Sequence, residues 1–122
     1  MKAYTDLEQS KKLAEILPIE SADMCYIQDL LAYCKYGEYR PYIGNIIPAY
    51  GQDKIKCWSL AALIGVIPHN LKLVLAINDY QGDRKEKYVI GSIEHDNYDC
   101  FADNPIDACY ELILKLNELN LL

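Results

Sequence analysis

The chain has 122 residues, of which 52% are apolar and 25% charged, and it carries a formal net charge of −6. A chain of this length is typical of a single domain, residues 1–122, and buries enough surface to fold without disulfides or structural metals. The apolar content excludes intrinsic disorder, and the acidic balance disfavours binding to nucleic-acid phosphates, which depends on Lys and Arg.

The first twelve residues and the cysteines predict a cytoplasmic protein. Residues 1–12 are polar, as a signal peptide would not be, and the longest apolar run, 57–67, is shorter than the roughly 20 residues of a membrane helix. The five cysteines are odd in number and contain no CxxC pair, so they form a poor disulfide framework. We expect reduced thiols and no contact with a membrane.

The N-terminal third predicts two helices. Thr5 and Glu8 have the spacing of a capping box, and Pro18 ends the helix that follows. Apolar residues recur at helical spacing over 22–36, before Gly37, and favour a second helix. A short strand over 24–27 is the alternative.

The next segment, residues 37–56, contains three glycines, two prolines and three tyrosines, which are typical of an irregular connection. Its length indicates either a functional loop or an element that the pattern hides. Residues 58–67 are apolar nearly all round and predict a short buried helix that ends at Pro68.

The second half changes to a period of two, which predicts a β-meander. Its three strands cover residues 71–77, 87–94 and 98–102. A final helix begins at Asn104 as N-cap, with Pro105 in its first position. The fold class is therefore α+β, with an antiparallel sheet of three or slightly more strands, helices on one face and a C-terminal helix.

No catalytic motif, cofactor motif or metal-ligand spacing is present. His95 lies five residues before Cys100, but the acidic surroundings raise a thiol pKa and so oppose a nucleophilic role. We expect a protein without an enzymatic activity, a cofactor or a metal. A pocket for a small molecule beside the tyrosines or near His95 and Cys100 is the alternative.

Tyrosines mark the first candidate binding region. They recur every third residue from Tyr33 to Tyr42, a period that leaves no single face of a helix. The rings either cover the edge of the sheet or form an aromatic recognition surface, in which Tyr and Arg are typical contact residues. The candidate binding residues are Tyr36, Tyr39, Arg40, Tyr42 and Tyr50.

Acidic residues mark the second candidate region. Residues 88–114 contain no Lys or Arg and six carboxylates. They form either a solvated surface or a site for a basic partner. The candidate acidic surface consists of Glu94, Asp96, Asp99 and Asp103.

Three sequence blocks resemble a family of short bacterial proteins of prophages and conjugative elements. The blocks are ESADM (20–24), CWSLAALIGVIP (57–68) and DNPIDACYELILKLNELNLL (103–122). The resemblance implies a cytoplasmic bacterial location and a mobile-element setting, but no activity, cofactor or site residue.

These observations lead to one functional expectation and three alternatives. We expect an accessory protein of a mobile element that binds a protein partner, through residues 36–50 and the acidic surface. A second copy of the chain is another partner to consider. A small-molecule site is the next alternative, and nucleic-acid binding through Lys11, Lys12, Lys35 and Arg40 is disfavoured by charge.

Overall fold

The structure is a computed structural model that describes residues 2–30, 37–44, 46, 52–79, 85–94 and 96–122. Its described part divides into two compact units. We call residues 4–62 the N-terminal unit, and residues 63–122 together with 1–3 the C-terminal unit. The division falls within a helix, and the single domain expected from the sequence stays a prediction.

The N-terminal unit begins with helix α1, Leu7–Ala14. Its N-cap is Asp6, whose carboxylate accepts a hydrogen bond from Gln9 N at 2.8 Å, while the Gln9 side chain accepts one from Asp6 N at 3.1 Å. The capping box predicted at Thr5 is therefore wrong by one residue. Thr5 is fully buried, and its hydroxyl accepts a hydrogen bond from Trp58 N at 3.1 Å.

A three-stranded antiparallel sheet follows, with the order β2-β1-β3. Its strands are β1, Met24–Gln28, β2, Tyr39–Ile43, and β3, Lys54–Cys57. The helix predicted over 22–36 is wrong where the structure describes it, and residues 31–36 lie outside the described residues. The irregular connection predicted over 37–56 is also wrong where it contains β2 and most of β3.

The physical reason for both errors is the central position of β1. Cys25, Tyr26 and Ile27 are all buried, which requires cover on both faces of the strand. A strand buried on both faces is apolar without alternation, and such a run can match helical spacing by chance.

Helix α2, Leu60–Val66, spans the division between the units. The helix predicted over 58–67 is confirmed in position, but the prediction that it is buried is wrong. Only Leu63 of the helix is buried, and Ile64 is 46% exposed.

The C-terminal unit contains the predicted meander. Strands β4, Leu73–Ile77, β5, Tyr88–Ser92, and β6, Cys100–Ala102, form an antiparallel sheet in that order. Helix α3, Pro105–Glu118, contacts β5 and β6, with Asn104 as its N-cap as predicted. Each Leu or Ile that α3 buries contributes about 1.5–3 kcal/mol relative to exposure. The buried apolar residues of α3 are Ile106, Ala108, Cys109, Leu112, Ile113 and Leu116.

Candidate functional site

The tyrosine region is an edge strand in the part that the structure describes. Tyr39, Arg40 and Tyr42 belong to β2, whereas Tyr36 and Tyr50 lie outside the described residues. Successive side chains of a strand point to opposite faces. Tyr39 and Tyr42 are separated by an odd number of positions, so they lie on opposite faces of the N-terminal sheet.

Tyr39 has a contact of its own within the fold. Its hydroxyl donates a hydrogen bond to Asp53 Oδ2 at 3.1 Å. Burial, and then the hydrogen bond and negative charge of Asp53, raise the pKa of the Tyr39 hydroxyl. The more exposed side chains of β2 are Tyr42, at 38%, and Ile43, at 83%.

The hydrogen-bond register decides which groups of β2 face the free edge. Asp29 N donates to Glu38 O and Gly44 N donates to Asp23 O, at 2.7 and 2.8 Å. Antiparallel pairs alternate between bonded and non-bonded, so residues 39, 41 and 43 turn their N–H and C=O groups away from β1. Residue 41 is Pro, which has no N–H, and this edge therefore lacks its central donor.

In β4, by contrast, every residue that turns its backbone groups to the free edge has an N–H. Asn78 N donates to Lys87 O at 2.7 Å, and Ile93 N donates to Lys72 O at 3.2 Å. The alternation then turns the N–H and C=O groups of Leu73, Leu75 and Ile77 away from β5. Within the described residues, none of these outward groups is hydrogen-bonded.

No proline or charge protects β4, whose sequence is LVLAI. Native proteins usually protect a free edge with charges, proline or a covering element, because an open edge can pair with another chain. Val74 is 43% exposed and Ile77 is 67% exposed. This strand combines unpaired backbone groups with exposed apolar side chains.

A shallow pocket lies on the face of the C-terminal sheet next to this edge. Helix α3 covers the face that carries Ile90, which is 1% exposed. The pocket is on the other face and has a volume of about 130 Å³. Its lining consists of Val74, Ala76, Val89, Gly91, Ser92, Ile93 and Asp99.

One carboxylate reaches into this apolar lining. A Cβ at Gly91 would lie 3.0 Å from Cγ of Asp99 and closer still to its Oδ1, so the Asp99 side chain occupies the space above Gly91. Gly91 is opposite Val74 in the register, which places the carboxylate next to β4. In the part of the chain that the structure describes, the Asp99 carboxylate has no hydrogen bond or ion pair.

The other acidic candidates have different surroundings. Glu94 accepts a 2.7 Å ion pair from Lys72, and Asp103 is exposed. Asp96 begins a 3₁₀ turn that ends at Tyr98, and its side chain lies outside the described residues. Asp107 forms a 2.8 Å ion pair with Lys2. Glu94, Asp99 and Asp103 therefore do not share one environment.

Cys57, Cys100 and Cys109 show no sign of activation as nucleophiles, and Cys34 lies outside the described residues. Burial raises the pKa of the Cys57 thiol, with smaller contributions from Cys25 and Asp23, to about 12. Burial also raises the pKa of Cys109 to about 12, and that of Cys100, although Lys115 opposes the shift at Cys100. His95, the candidate base, lies outside the described residues. A thiol with a raised pKa stays protonated near neutral pH and is a poor nucleophile.

Among the described residues, no three His, Cys, Asp or Glu side chains gather where they could hold a metal ion. None of the helices in the described ranges is long and apolar enough to cross a bilayer.

Comparisons with known proteins add no relative. No protein-family model, curated protein or solved structure matches the chain. The resemblance to a mobile-element family therefore stays a prediction, and the functional argument rests on the geometry of the chain itself.

The sequence reasoning missed β4 as a candidate site. The period of two was evident, but the residues between the leucines, Val74 and Ala76, are also apolar. A strand that is apolar on both faces is covered on both sides or available to a partner. Gly91 inside β5 was a second indication, because glycine within a strand often marks a close approach.

Proposed function

We propose that this chain is a non-enzymatic protein-interaction module that binds an extended segment of a partner protein along the free edge of β4. The outward N–H and C=O groups of Leu73, Leu75 and Ile77 carry the proposal, because strand addition supplies them with hydrogen-bond partners. The resemblance of three sequence blocks to mobile-element proteins suggests the setting, an accessory protein in a bacterial cytoplasm.

This proposal moves the contact surface away from the tyrosines. Strand addition at β2 would meet Pro41 at the centre of the edge, where no N–H is available. The edge of β4 has its three donors and is apolar on both faces. An aromatic contact through Tyr42 and Ile43 remains the competing surface, since both side chains are exposed.

A matched pair of proline substitutions tests the choice between the two edges. Random peptides displayed on phage are selected on the immobilised wild-type chain, and a selected peptide is then synthesised. Its affinity is measured by fluorescence anisotropy for the wild type, Leu75→Pro and Ile43→Pro. Both prolines replace a residue whose N–H faces a free edge, so neither breaks the ladder inside its sheet.

We expect Leu75→Pro to weaken binding by at least about tenfold, the effect of about 1.4 kcal/mol, and Ile43→Pro to leave it unchanged. The reverse result would assign the contact to β2 and the tyrosine region. Circular dichroism of each variant verifies that the fold is kept.

A further inference from the structure

We infer that the pocket beside β4 selects a Lys or Arg side chain of the added strand, through the carboxylate of Asp99. This inference rests on the proposed function, because the cation is delivered by a strand that pairs with β4. The occupant is therefore an extended, basic peptide segment.

The position of the Asp99 carboxylate favours this role. Asp99 lies over Gly91, and Gly91 is opposite Val74 of the edge strand. A side chain at any residue but glycine would displace the carboxylate from this place. The sheet thus holds one negative group above its centre, one strand away from the edge.

The described part of the chain offers this carboxylate no cationic partner. In the described ranges, Asp99 has no ion pair, and the pocket around it is otherwise lined by uncharged residues. The ammonium group of Lys72, which precedes β4, is already engaged with Glu94 at 2.7 Å. A carboxylate beside apolar side chains gains more from a cation than one in open water.

A long side chain of the added strand can reach the Asp99 carboxylate. Neighbouring strands lie about 4.8 Å apart, so a strand added to β4 lies about 10 Å from β5. The residue of the added strand opposite Val74 points to the pocket face, and a long stem can cross Val74 towards Asp99. Lys and Arg place apolar stems along such a surface and a charge at the tip.

A second copy of the chain fits less well. If two β4 strands pair about Leu75, Val74 lies opposite Ala76 of the second copy, which supplies no cation. Each copy also carries a net charge of −6, so two copies repel at low salt. Charge complementarity therefore favours a basic segment.

A double-mutant cycle tests the inference. The selected peptide is compared with a version in which its Lys or Arg opposite Val74 is replaced by norleucine, against the wild type and Asp99→Asn. Asp103→Asn is the matched control, because it removes the same charge from an exposed site outside the pocket.

We expect peptides selected on the wild type to share a Lys or Arg at one position. Removal of either the Asp99 carboxylate or the basic side chain of the peptide should weaken binding about tenfold. Removal of both should weaken binding no further, because the two groups act on each other. Asp103→Asn should show no coupling with the peptide. Binding to the wild type should also weaken as salt rises.

The outcomes separate the inference from the proposed function. Selected peptides without a shared basic position, or equal coupling with Asp99→Asn and Asp103→Asn, would overturn the role of Asp99 while strand addition stands. The basic segment is overturned as the occupant if selection on the wild type yields no peptide. It is overturned as well if analytical ultracentrifugation shows a dimer that Leu75→Pro dissociates.

Discussion

Each of the two sheets has three strands in the described residues, but the edge strands β2 and β4 differ in the backbone N–H groups that they offer to a partner. Strand β2 closes its sheet with a proline at the central outward position, and its exposed side chains include Ile43 and Tyr42. Strand β4 leaves every outward donor in place and carries no charge. Exposed aromatic side chains alone do not make a strand suitable for strand addition, because its outward backbone groups decide whether another strand can pair with it.

The largest expected effect concerns the register on which the comparison depends. Val74→Pro removes an N–H that bonds to β5, whereas Leu75→Pro removes one that faces the free edge. Val74→Pro should lower the free energy of unfolding by about 2–3 kcal/mol, because it leaves a buried acceptor unsatisfied, and Leu75→Pro should cost less than about 1 kcal/mol. Urea denaturation measures both; equal losses would contradict the assigned register.

A second prediction uses a feature that the two units share, a deeply buried thiol. Cys57 and Cys109 have folded-state pKa values of about 12, against a reference value of 9.0. Between these two pH values the folded chain keeps the thiol protons that the unfolded chain loses. The contribution of the two thiols to the free energy of unfolding is therefore complete below pH 9 and is lost as the pH rises towards 12. Urea denaturation between these limits should show a decline that is shallower in Cys57→Ala and Cys109→Ala, and an unchanged slope in both would contradict the burial of the thiols.

The third prediction concerns Pro41, the residue that leaves the edge of β2 without its central donor. Pro41→Val restores the missing outward donor of β2 with a residue that favours strands. We expect this variant to self-associate more than the wild type, because the edge of the N-terminal sheet then has all three outward donors in place. Sedimentation velocity at rising concentration measures the change, with Glu38→Gln as a control outside the strand. An unchanged sedimentation coefficient would show that Pro41 does not protect the edge.

The smallest expected effect concerns Gly91. Gly91→Ala forces the Asp99 carboxylate from its place above the strand, and this side chain can move at little cost. The free energy of unfolding should change by less than about 1 kcal/mol, because alanine also restricts the unfolded chain. Binding of the basic peptide should weaken to the level of Asp99→Asn, and preserved binding would contradict the position of the carboxylate.

The sequence predicted the C-terminal unit better than the N-terminal unit, for physical reasons. The larger apolar side chains of β4 recur at every second position, and Asn104 and Pro105 mark the start of α3 by local chemistry. Strand β1 is buried on both faces, so its pattern lacks the period of two that identifies a half-buried strand. Its partners β2 and β3 stand among prolines and glycines, a composition that also predicts an irregular connection.

The candidate site was less predictable than the fold. Tyrosines and carboxylates can be located in a sequence without knowledge of the fold, and their clustering predicts contact surfaces within residues 36–50 and 94–103. Whether a strand is central or at an edge depends on the order of strands in space, which the pattern of one strand does not contain. The register alone decides which residues bond to β5, so that the backbone groups of Val74 face β5 and those of Leu75 face the free edge.

Amide hydrogen exchange in the presence of a selected peptide tests the central claim most directly. If the peptide adds to β4, the amides of Leu73, Leu75 and Ile77 gain protection, because each then donates a hydrogen bond to the new strand. The amides of Tyr39 and Ile43 at the edge of β2 should exchange as in the free chain. Protection at Tyr39 and Ile43 with none in β4 would contradict the account.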